Sequence, residues 1–495
     1  MSSIIVLISV LLIPLVWLPA FLAYYSYTVR RTRYNRNNGK KLTVGFFHPY
    51  CNAGGGGERV LWQLIDVINH ISTHIKCIVY TGDTEVTSDQ LLYNAENQFN
   101  LRYSKSNKPS FIYLTQRHWV EASRYPYFTM LFQSLGSLIL CINALHQYTP
   151  DIYIDTMGYA FTYPIARYIY GCTVYAYVHY PTISTDMLSR VSQQQNKYNT
   201  IKYNCKLLYY NIFAKLYRLV GSCSELNMCN STWTYNHIIQ LWSNPKHTHI
   251  VYPPVDVSTL IELPLNKVRP FVENKRNSLN DNSNNDITKY RHPIIVSIGQ
   301  FRPEKNHSLQ LHAFSSFLQL AGKYAQHVQL VLIGGCRNSE DEARVAELER
   351  LADELDIRKQ VTFAVNVTHK QLVAYLSNAT AGIHTMWNEH FGIGIVEFMA
   401  AGVIPIAHNS AGPAQDIVIN YNNGSTGYLA TTESEYASIL YKIFCSEYTG
   451  SSKMEQMRER ARQRATAFSD EQYRKASDKL IETPILDKLH KYGIT

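Results

Sequence analysis

Four successive glycines, Gly54 to Gly57, stand between the apolar run Thr43-Val44-Gly45-Phe46-Phe47 and a helical pattern over Val60 to Ile71. Such a run costs backbone entropy. A chain tolerates that cost where something must approach its backbone closely. Strand, glycine loop, helix is the opening of a doubly wound α/β unit. The helix start it creates offers free N–H groups and a positive dipole end to an anion. The spacing is neither G-x-G-x-x-G nor G-x-x-x-x-G-K-[ST], so a standard dinucleotide or nucleoside-triphosphate site is disfavoured. A plain flexible loop is the alternative reading.

The alternation continues along the chain. Strands are expected at Thr43–Phe47, Lys76–Tyr80, Phe111–Leu114, Asp151–Asp155, Thr173–Val178 and His249–Tyr252. A second series is expected at Ile294–Ile298, Gln329–Ile333, Val361–Phe363, Ala379–His384 and Val403–Ala407. Apolar runs separated by helical patterns imply parallel sheets covered on both faces. The 495 residues are enough for two such domains. Between the two series, Glu262 to His292 is polar, above all Asn277 to Asp286, and reads as a linker or insertion.

Two segments of the second half carry chemistry. Ile294 to Gly299 ends in Gln300-Phe301-Arg302-Pro303-Glu304-Lys305-Asn306, which places Arg302 and Lys305 at the carboxyl end of a strand. Open α/β sheets bind ligands there, and two cations suit a diphosphate, Arg as a fork and Lys as a point charge. Further on, Glu389 and Glu397 stand eight positions apart, with Gly392, Ile393, Gly394 and Ile395 between them. The first Glu falls in a loop and the second inside an apolar helix. One short segment can thus present a carboxylate for sugar hydroxyls, a helix start for a diphosphate and a second carboxylate for another hydroxyl pair. Solvated surface charges and an ordinary core helix are the competing readings.

Together these segments resemble the retaining GT-B glycosyltransferases of family 4, also called group 1, whose donor site carries E-x7-E. The resemblance runs from about residue 42 to about residue 480. It implies two Rossmann-like, doubly wound parallel-sheet domains facing across a cleft. Four segments sharpen it: His48 to Trp62, Val178-His179-Tyr180-Pro181, Gln300 to His307, and Gly334-Gly335-Cys336-Arg337-Asn338. They are similar to the branch that moves mannose from GDP-mannose, with retention, onto a dolichol-diphosphate-linked oligosaccharide. That branch adds the fourth and fifth mannose of the N-glycan precursor in α-1,2 linkage. The resemblance implies that Arg302 and Lys305 neutralise the leaving diphosphate, helped by amides from Gly392 to Ile395. Glu389 would grip donor-sugar hydroxyls, Glu397 the ribose, and His179 the sugar or its reacting oxygen. Gly54, Gly55, Gly56 and Gly57 form the glycine loop. The chain departs from the family in one place: Gln300 stands where many members carry Arg, which weakens the carry-over to Arg302. The resemblance also makes other mannosyltransferases of the pathway candidate partners. Another lipid-linked or polysaccharide glycosyltransferase, a GT-B-type epimerase, and a non-catalytic membrane scaffold are the rival readings.

The N-terminus fits a membrane enzyme. Ile4 to Tyr25 carries no charge and is about the length that crosses a bilayer, roughly 20 residues. Arg30, Arg31, Arg33, Arg36, Lys40 and Lys41 follow it and make the net charge of +9 partly local. A nucleic-acid patch is the competing reading of that cluster. Its position beside an apolar segment favours a membrane flank, and no nucleic-acid partner is expected. No Lys or Arg precedes Arg30, so the segment reads as an uncleaved anchor with a luminal N-terminus and cytosolic catalytic domains. The expected location is the endoplasmic reticulum membrane, single-pass.

Nine scattered cysteines without a C-x-x-C pair argue against disulfides and a zinc site. No D-x-D motif is present, so a metal-independent reaction without cofactor is expected. The sequon at Asn306 lies inside the proposed phosphate motif, where a glycan would obstruct it. Phe128 to Leu145 is a second apolar stretch, read as a core helix or as an amphipathic helix in the membrane interface. The expected organisation is anchor 1–29, basic flank 30–41, acceptor domain 42–261, linker 262–292, donor domain 293–450, and C-terminal helices 451–495 crossing back to the first domain.

Overall fold

The computed structural model describes residues 19–33, 41–99, 101, 103, 107–198, 201–268, 290–446 and 449–494. The expected anchor up to residue 18, positions 34–40 of the basic flank and the tract Asn277–Asp286 lie outside them.

The chain forms two compact units. The first takes residues up to Asn230, Thr234–Val251 and Arg474–Thr495; the second takes Ser231–Trp233 and Tyr252–Tyr473. Residues 252–261, assigned to the first domain from sequence, group with the second because Val255, Val257 and Leu260 are buried in its core.

The sheet of the first unit contains β1 (Leu42–Phe47), β2 (Ile75–Thr81), β3 (Ser110–Tyr113), β4 (Ile152–Asp155), β5 (Thr173–Val178), β6 (Leu226–Cys229) and β7 (Thr248–Ile250). The order is β3-β2-β1-β4-β5-β6-β7, all parallel. The chain reverses its winding between β1 and β4, which is where ligand crevices form in such sheets. The helices are α1 (residues 19–33), α2 (Gly56–Ile71), α3 (Ser88–Phe99), α4 (Thr129–Gln147), α5 (Thr185–Tyr198), α6 (Ile201–Gly221) and α7 (Thr232–Trp242). All six residues of β1 are buried, as are Val60, Leu61, Trp62, Leu64 and Ile65 of α2. Each Val, Leu, Ile or Phe side chain among them contributes about 1.5–3 kcal/mol by leaving water. Helix α4 is long and apolar enough to cross a membrane by length and composition.

A short ribbon, β8 (Lys267–Val268) with β9 (Tyr290–Arg291), precedes the second sheet. That sheet contains β10 (Ile294–Ile298), β11 (Gln329–Gly334), β12 (Val361–Val365), β13 (Ala381–Ile383) and β14 (Ile404–His408). A hairpin of β15 (Asn420–Tyr421) and β16 (Gly424–Ser425) leads to β17 (Tyr428–Ala430). The order is β12-β11-β10-β13-β14-β17, again all parallel, with the winding reversed between β10 and β13. Its helices are α8 (Ser258–Ile261), α9 (His307–Ala321), α10 (Ser339–Glu354), α11 (His369–Asn378), α12 (Ile393–Ala400), α13 (Glu433–Phe444) and α14 (Ser452–Ala465). Helix α15 (Asp470–Lys491) follows, and its Arg474 pairs with Asp66 inside the first unit. The nine cysteines are free thiols.

Candidate active site

In the second unit the loops after β10 and β13, the two strands flanking the winding reversal, meet. The loop after β10 closes in a 3₁₀ turn, Pro303–Lys305, capped by Asn306 in a left-handed conformation at φ 51°. The hydroxyl of Thr385, two residues past β13, donates to the carbonyls of Lys305 and Asn306 at 3.0 Å each and accepts from Gln310 at 3.0 Å. This fixes where Lys305 begins. Its ammonium donates to Glu389 Oε2. His384, the first residue past β13, brings its Nε2 to 3.2 Å from the same oxygen. His384 is itself held, its N–H by Ile406 O at 2.9 Å and its carbonyl by Tyr436 Oη at 2.9 Å.

Lys305 and Glu389 are thus counter-charges, with side chains 24% and 14% exposed. Burial alone would raise the Glu389 carboxyl. The Lys305 ammonium and His384 outweigh it and hold the group well below the usual carboxylate range.

Three residues past Glu389, Gly392 caps α12 at φ 116°, ψ 59°, a conformation L side chains rarely adopt. A Cβ there would come within 2.9 Å of Ile395. The first intrahelical donors are Ile395 and Val396, both onto Gly392 O. The amides of Ile393 and Gly394 precede them and belong to the open end of the helix. Gly394 lies against Ile298, the last residue of β10, and the next residue, Gly299, lies under the aliphatic stem of Lys305. The helix start, the Lys and the Glu therefore share one corner of the unit. Glu397 is one turn further along α12, half-buried, on the face that also carries Ile393 and Gly394.

Arg302 is placed differently. Its guanidinium is 3.7 Å from Glu304. It lines a surface groove with Ser308 and with Arg344, Glu347 and Arg350 of α10. The structure joins Lys305 to Glu389 but leaves Arg302 with a surface carboxylate.

The first unit has its own cluster. Gly54 has φ +75°, and its carbonyl accepts from Gln98 Nε2 at 2.9 Å; a Cβ would sit 2.3 Å from that amide. Gly55 caps α2, and Glu58 reaches back to its N–H at 2.5 Å, half of a capping box. The other Glu58 oxygen lies 3.4 Å from His48 Nε2, while His48 Nδ1 is 2.7 Å from Thr156 Oγ1. Burial raises the Glu58 carboxyl, but the His48 hydrogen bond and charge outweigh it and lower the group. The loop is thus tied to the end of β4. His179, directly after β5, brings its Nε2 to 3.5 Å from where a Gly57 Cβ would stand. The structure therefore brings His179 and the glycine loop together. Asp155, at the carboxyl end of β4, accepts from Tyr163 Oη at 2.7 Å and from the Met157 and Gly158 amides at 2.9 and 3.1 Å. Burial pushes it up to about 6.

The sequence reading assigned no role to His384, His48 or Asp155. His384 had a signal: it ends an expected strand five residues before Glu389. His48 directly follows its strand and Asp155 ends its own, but partners that lie 108 positions apart, as His48 and Thr156 do, leave no local pattern. Among the described residues no group of three or more His, Cys, Asp or Glu side chains is disposed to hold a metal ion.

Comparison with known proteins gives the family of the chain and its fold. Residues 41–242 match the model of the ALG11 mannosyltransferase N-terminus, and residues 281–464 that of glycosyl transferases group 1. The chain is 47% identical over 448 residues to the Mus musculus GDP-Man:Man(3)GlcNAc(2)-PP-Dol alpha-1,2-mannosyltransferase, covering 88% of this chain and 86% of that protein. The protein of that name from Dictyostelium discoideum is 44% identical, covering 88% and 83%. Among solved structures, Anabaena HepE in complex with UDP and glucose is similar at TM-score 0.58 and 17% identity, covering 89% of this chain and 99% of that one. Sucrose-phosphate synthase from Thermosynechococcus elongatus is similar at TM-score 0.61 and 16% identity, covering 90% and 100%. At such identities the likeness concerns the fold, which is GT-B. With two family models side by side and relatives near half identical across most of its length, the chain belongs to the GDP-Man:Man(3)GlcNAc(2)-PP-Dol alpha-1,2-mannosyltransferase family of group 1 glycosyl transferases.

Proposed function

We propose that this chain transfers mannose from GDP-mannose, with retention, to a dolichol-diphosphate-linked oligosaccharide. It forms α-1,2 linkages and adds the fourth and fifth mannose of the N-glycan precursor. The relatives' names support the substrates. The observation that carries the chemistry is the convergence of Lys305 and His384 on Glu389 beside the open end of α12.

In this reading the diphosphate of the donor sits at the Ile393 and Gly394 amides with Lys305 beside it. The bond from the mannose anomeric carbon to the diphosphate breaks as the acceptor hydroxyl attacks from the same face. The hydroxyl proton passes to a diphosphate oxygen. Charge grows on the leaving group, so a fixed ammonium and a helix dipole stabilise the transition state more than the ground state. Glu389, kept ionised by its two partners, accepts from mannose hydroxyls and orients the ring. His384 is a positioning residue for Glu389. Glu397 accepts from the ribose hydroxyls. In the first unit His179, backed by the glycine loop, contacts the sugar or its reacting oxygen. Arg302 reaches the diphosphate only by leaving Glu304. The reaction needs no metal, because Lys305 and α12 supply the positive charge. We place the enzyme in the endoplasmic reticulum membrane, single-pass, with its catalytic domains in the cytosol and membrane lipid around its anchor.

The test is incubation of the purified full-length protein with GDP-mannose and the three-mannose lipid-linked acceptor, followed by sizing of the released glycan. Growth by two hexoses that an α-1,2-mannosidase removes is expected. Extension with UDP-sugars and none with GDP-mannose would overturn the donor assignment.

A further inference from the structure

Three arginines of the second unit meet at the C-terminal end of α12, away from its open start. Arg291 comes from β9, and Arg458 and Arg462, one turn apart, come from α14. Arg291 is 2% and Arg458 0% exposed, and Arg462 is half-buried. Helix ends draw them in. Arg458 Nε donates to Gly402 O at 2.7 Å, and Arg462 Nε to Ala400 O at 2.9 Å. Arg291 Nη2 donates to Ala401 O. Its Nη1 donates to Leu376 O at 2.9 Å and Ala379 O at 2.6 Å, at the end of α11. Cations at helix C-termini offset the negative end of the dipole.

Helix capping leaves part of the cluster unanswered. Glu455 accepts from Arg458 Nη1 at 2.5 Å, while its other oxygen accepts from the Val268 amide at 3.2 Å. Among the described residues no other carboxylate forms an ion pair with the three, although Glu459 acts on Arg458 from further away. Each guanidinium also keeps an enclosed nitrogen with no acceptor: Arg291 Nε, Arg458 Nη2 and Arg462 Nη2. Buried donors without acceptors are costly, the more so on charged groups. The groups are close together. A Cβ on Gly402 would stand 3.1 Å from Arg462 Nη2 and 3.4 Å from Arg291 Nη2. Burial, then the charges of Arg458 and Arg462, push Arg291 down to about 9, which leaves it charged at neutral pH. Three cations thus face one paired carboxylate.

The remaining nitrogens decide which anion fits. A carboxylate or phosphate pairs best with two adjacent nitrogens of one guanidinium. Arg291 has only Nε left and Arg458 only Nη2, while Arg462 has its Nε taken. Single donors from three separate side chains suit a small spherical anion with no preferred bond direction. We propose that chloride binds among Arg291, Arg458 and Arg462, as a structural ligand of the second unit at the C-terminal end of α12. It supplies the acceptor that the three nitrogens lack and the negative charge that Glu455 does not. The site does not depend on which sugar is transferred.

The test is thermal melting of the full-length protein in detergent, at constant ionic strength, with gluconate replaced stepwise by chloride. A ligand that binds only the folded state raises the melting temperature by mass action. The melting temperature should therefore climb with chloride and approach the logarithmic rise of a single site, with bromide acting in chloride's place and phosphate acting more weakly. Glu455→Gln keeps an acceptor for Arg458 and for the Val268 amide but removes the one paired negative charge. Its response should begin at severalfold lower chloride than in wild type. Arg462→Met removes one of the three donors and should shift the response to at least tenfold higher chloride; if that variant does not fold, Glu455→Gln decides. Arginines that only cap helices would make both variants melt lower without moving the chloride response. A wild-type melting temperature indifferent to chloride would overturn the proposal. So would a response to phosphate at lower concentration than to chloride, or a Glu455→Gln response that begins where that of wild type does.

Discussion

Glu389 accepts from Lys305 while lying close to His384, and its side chain is only 14% exposed. Removing either charge leaves the other short of a partner in a poorly solvated place. The pairing couples the two positions in stability as well as in chemistry. Each single variant should lose about 1–3 kcal/mol, the cost of leaving a buried polar group unsatisfied. The double variant should lose much less than the sum, with a coupling of about 0.5–3 kcal/mol. Chemical unfolding of the four proteins measures this; strictly additive losses would show that the pair does not interact. The sign with pH follows from the lowered carboxyl. Its stabilisation is fully present above the ordinary value of 4.5 and is lost only in stronger acid.

At the scale of elements, α9 makes the clearest pH prediction. It begins at His307, whose ring is 5.1 Å from that of Phe301 and almost wholly buried. Burial first, then Lys305, pushes its pKa down to about 4 from 6.5. The folded state thus keeps His307 neutral over a range in which the unfolded chain protonates. Stability from this residue is full above pH 6.5 and falls as the pH drops toward 4, by about 3 kcal/mol at most. Denaturation at pH 7 and pH 5 should show the difference, and His307→Phe should flatten it. An unchanged slope in that variant would assign the loss to other groups.

Elements were legible where period and composition agreed. β5 and β10 begin and end where their apolar runs do. β6 escaped because Leu-Asn-Met-Cys has neither alternation nor β-branched residues, although all four positions are buried. β17 escaped because Tyr-Leu-Ala is three residues long. α2 starts four residues earlier than expected because Glu58 holds the Gly55 amide, so the glycines themselves enter the helix. The C-terminal tail, expected as helices over 451–495, is two of them, α14 and α15, joined by a 3₁₀ turn at Thr466–Phe468.

For the molecule as a whole, two parallel sheets with a winding reversal each explain why the site could be read from short segments. Every motif that carried the resemblance follows a strand of one of these sheets. What sequence could not give is which side chains meet across a reversal: Lys305 pairs with Glu389, 84 positions away in the chain. Nor does it give which way a side chain turns within its own stretch, as His384 does to Glu389 and Arg302 to Glu304. Metal independence is a prediction at this scale, since it concerns the whole charge balance of the reaction. Turnover should survive EDTA, and activity abolished by EDTA and restored by manganese would contradict it. The most direct test of the central claim is turnover of Lys305→Ala with GDP-mannose and the lipid-linked acceptor, measured below the variant's own melting temperature. The account predicts a folded protein with turnover reduced by about a hundred- to a thousandfold, the loss of one preorganised donor facing developing charge. Near-wild-type turnover in that folded variant would contradict it.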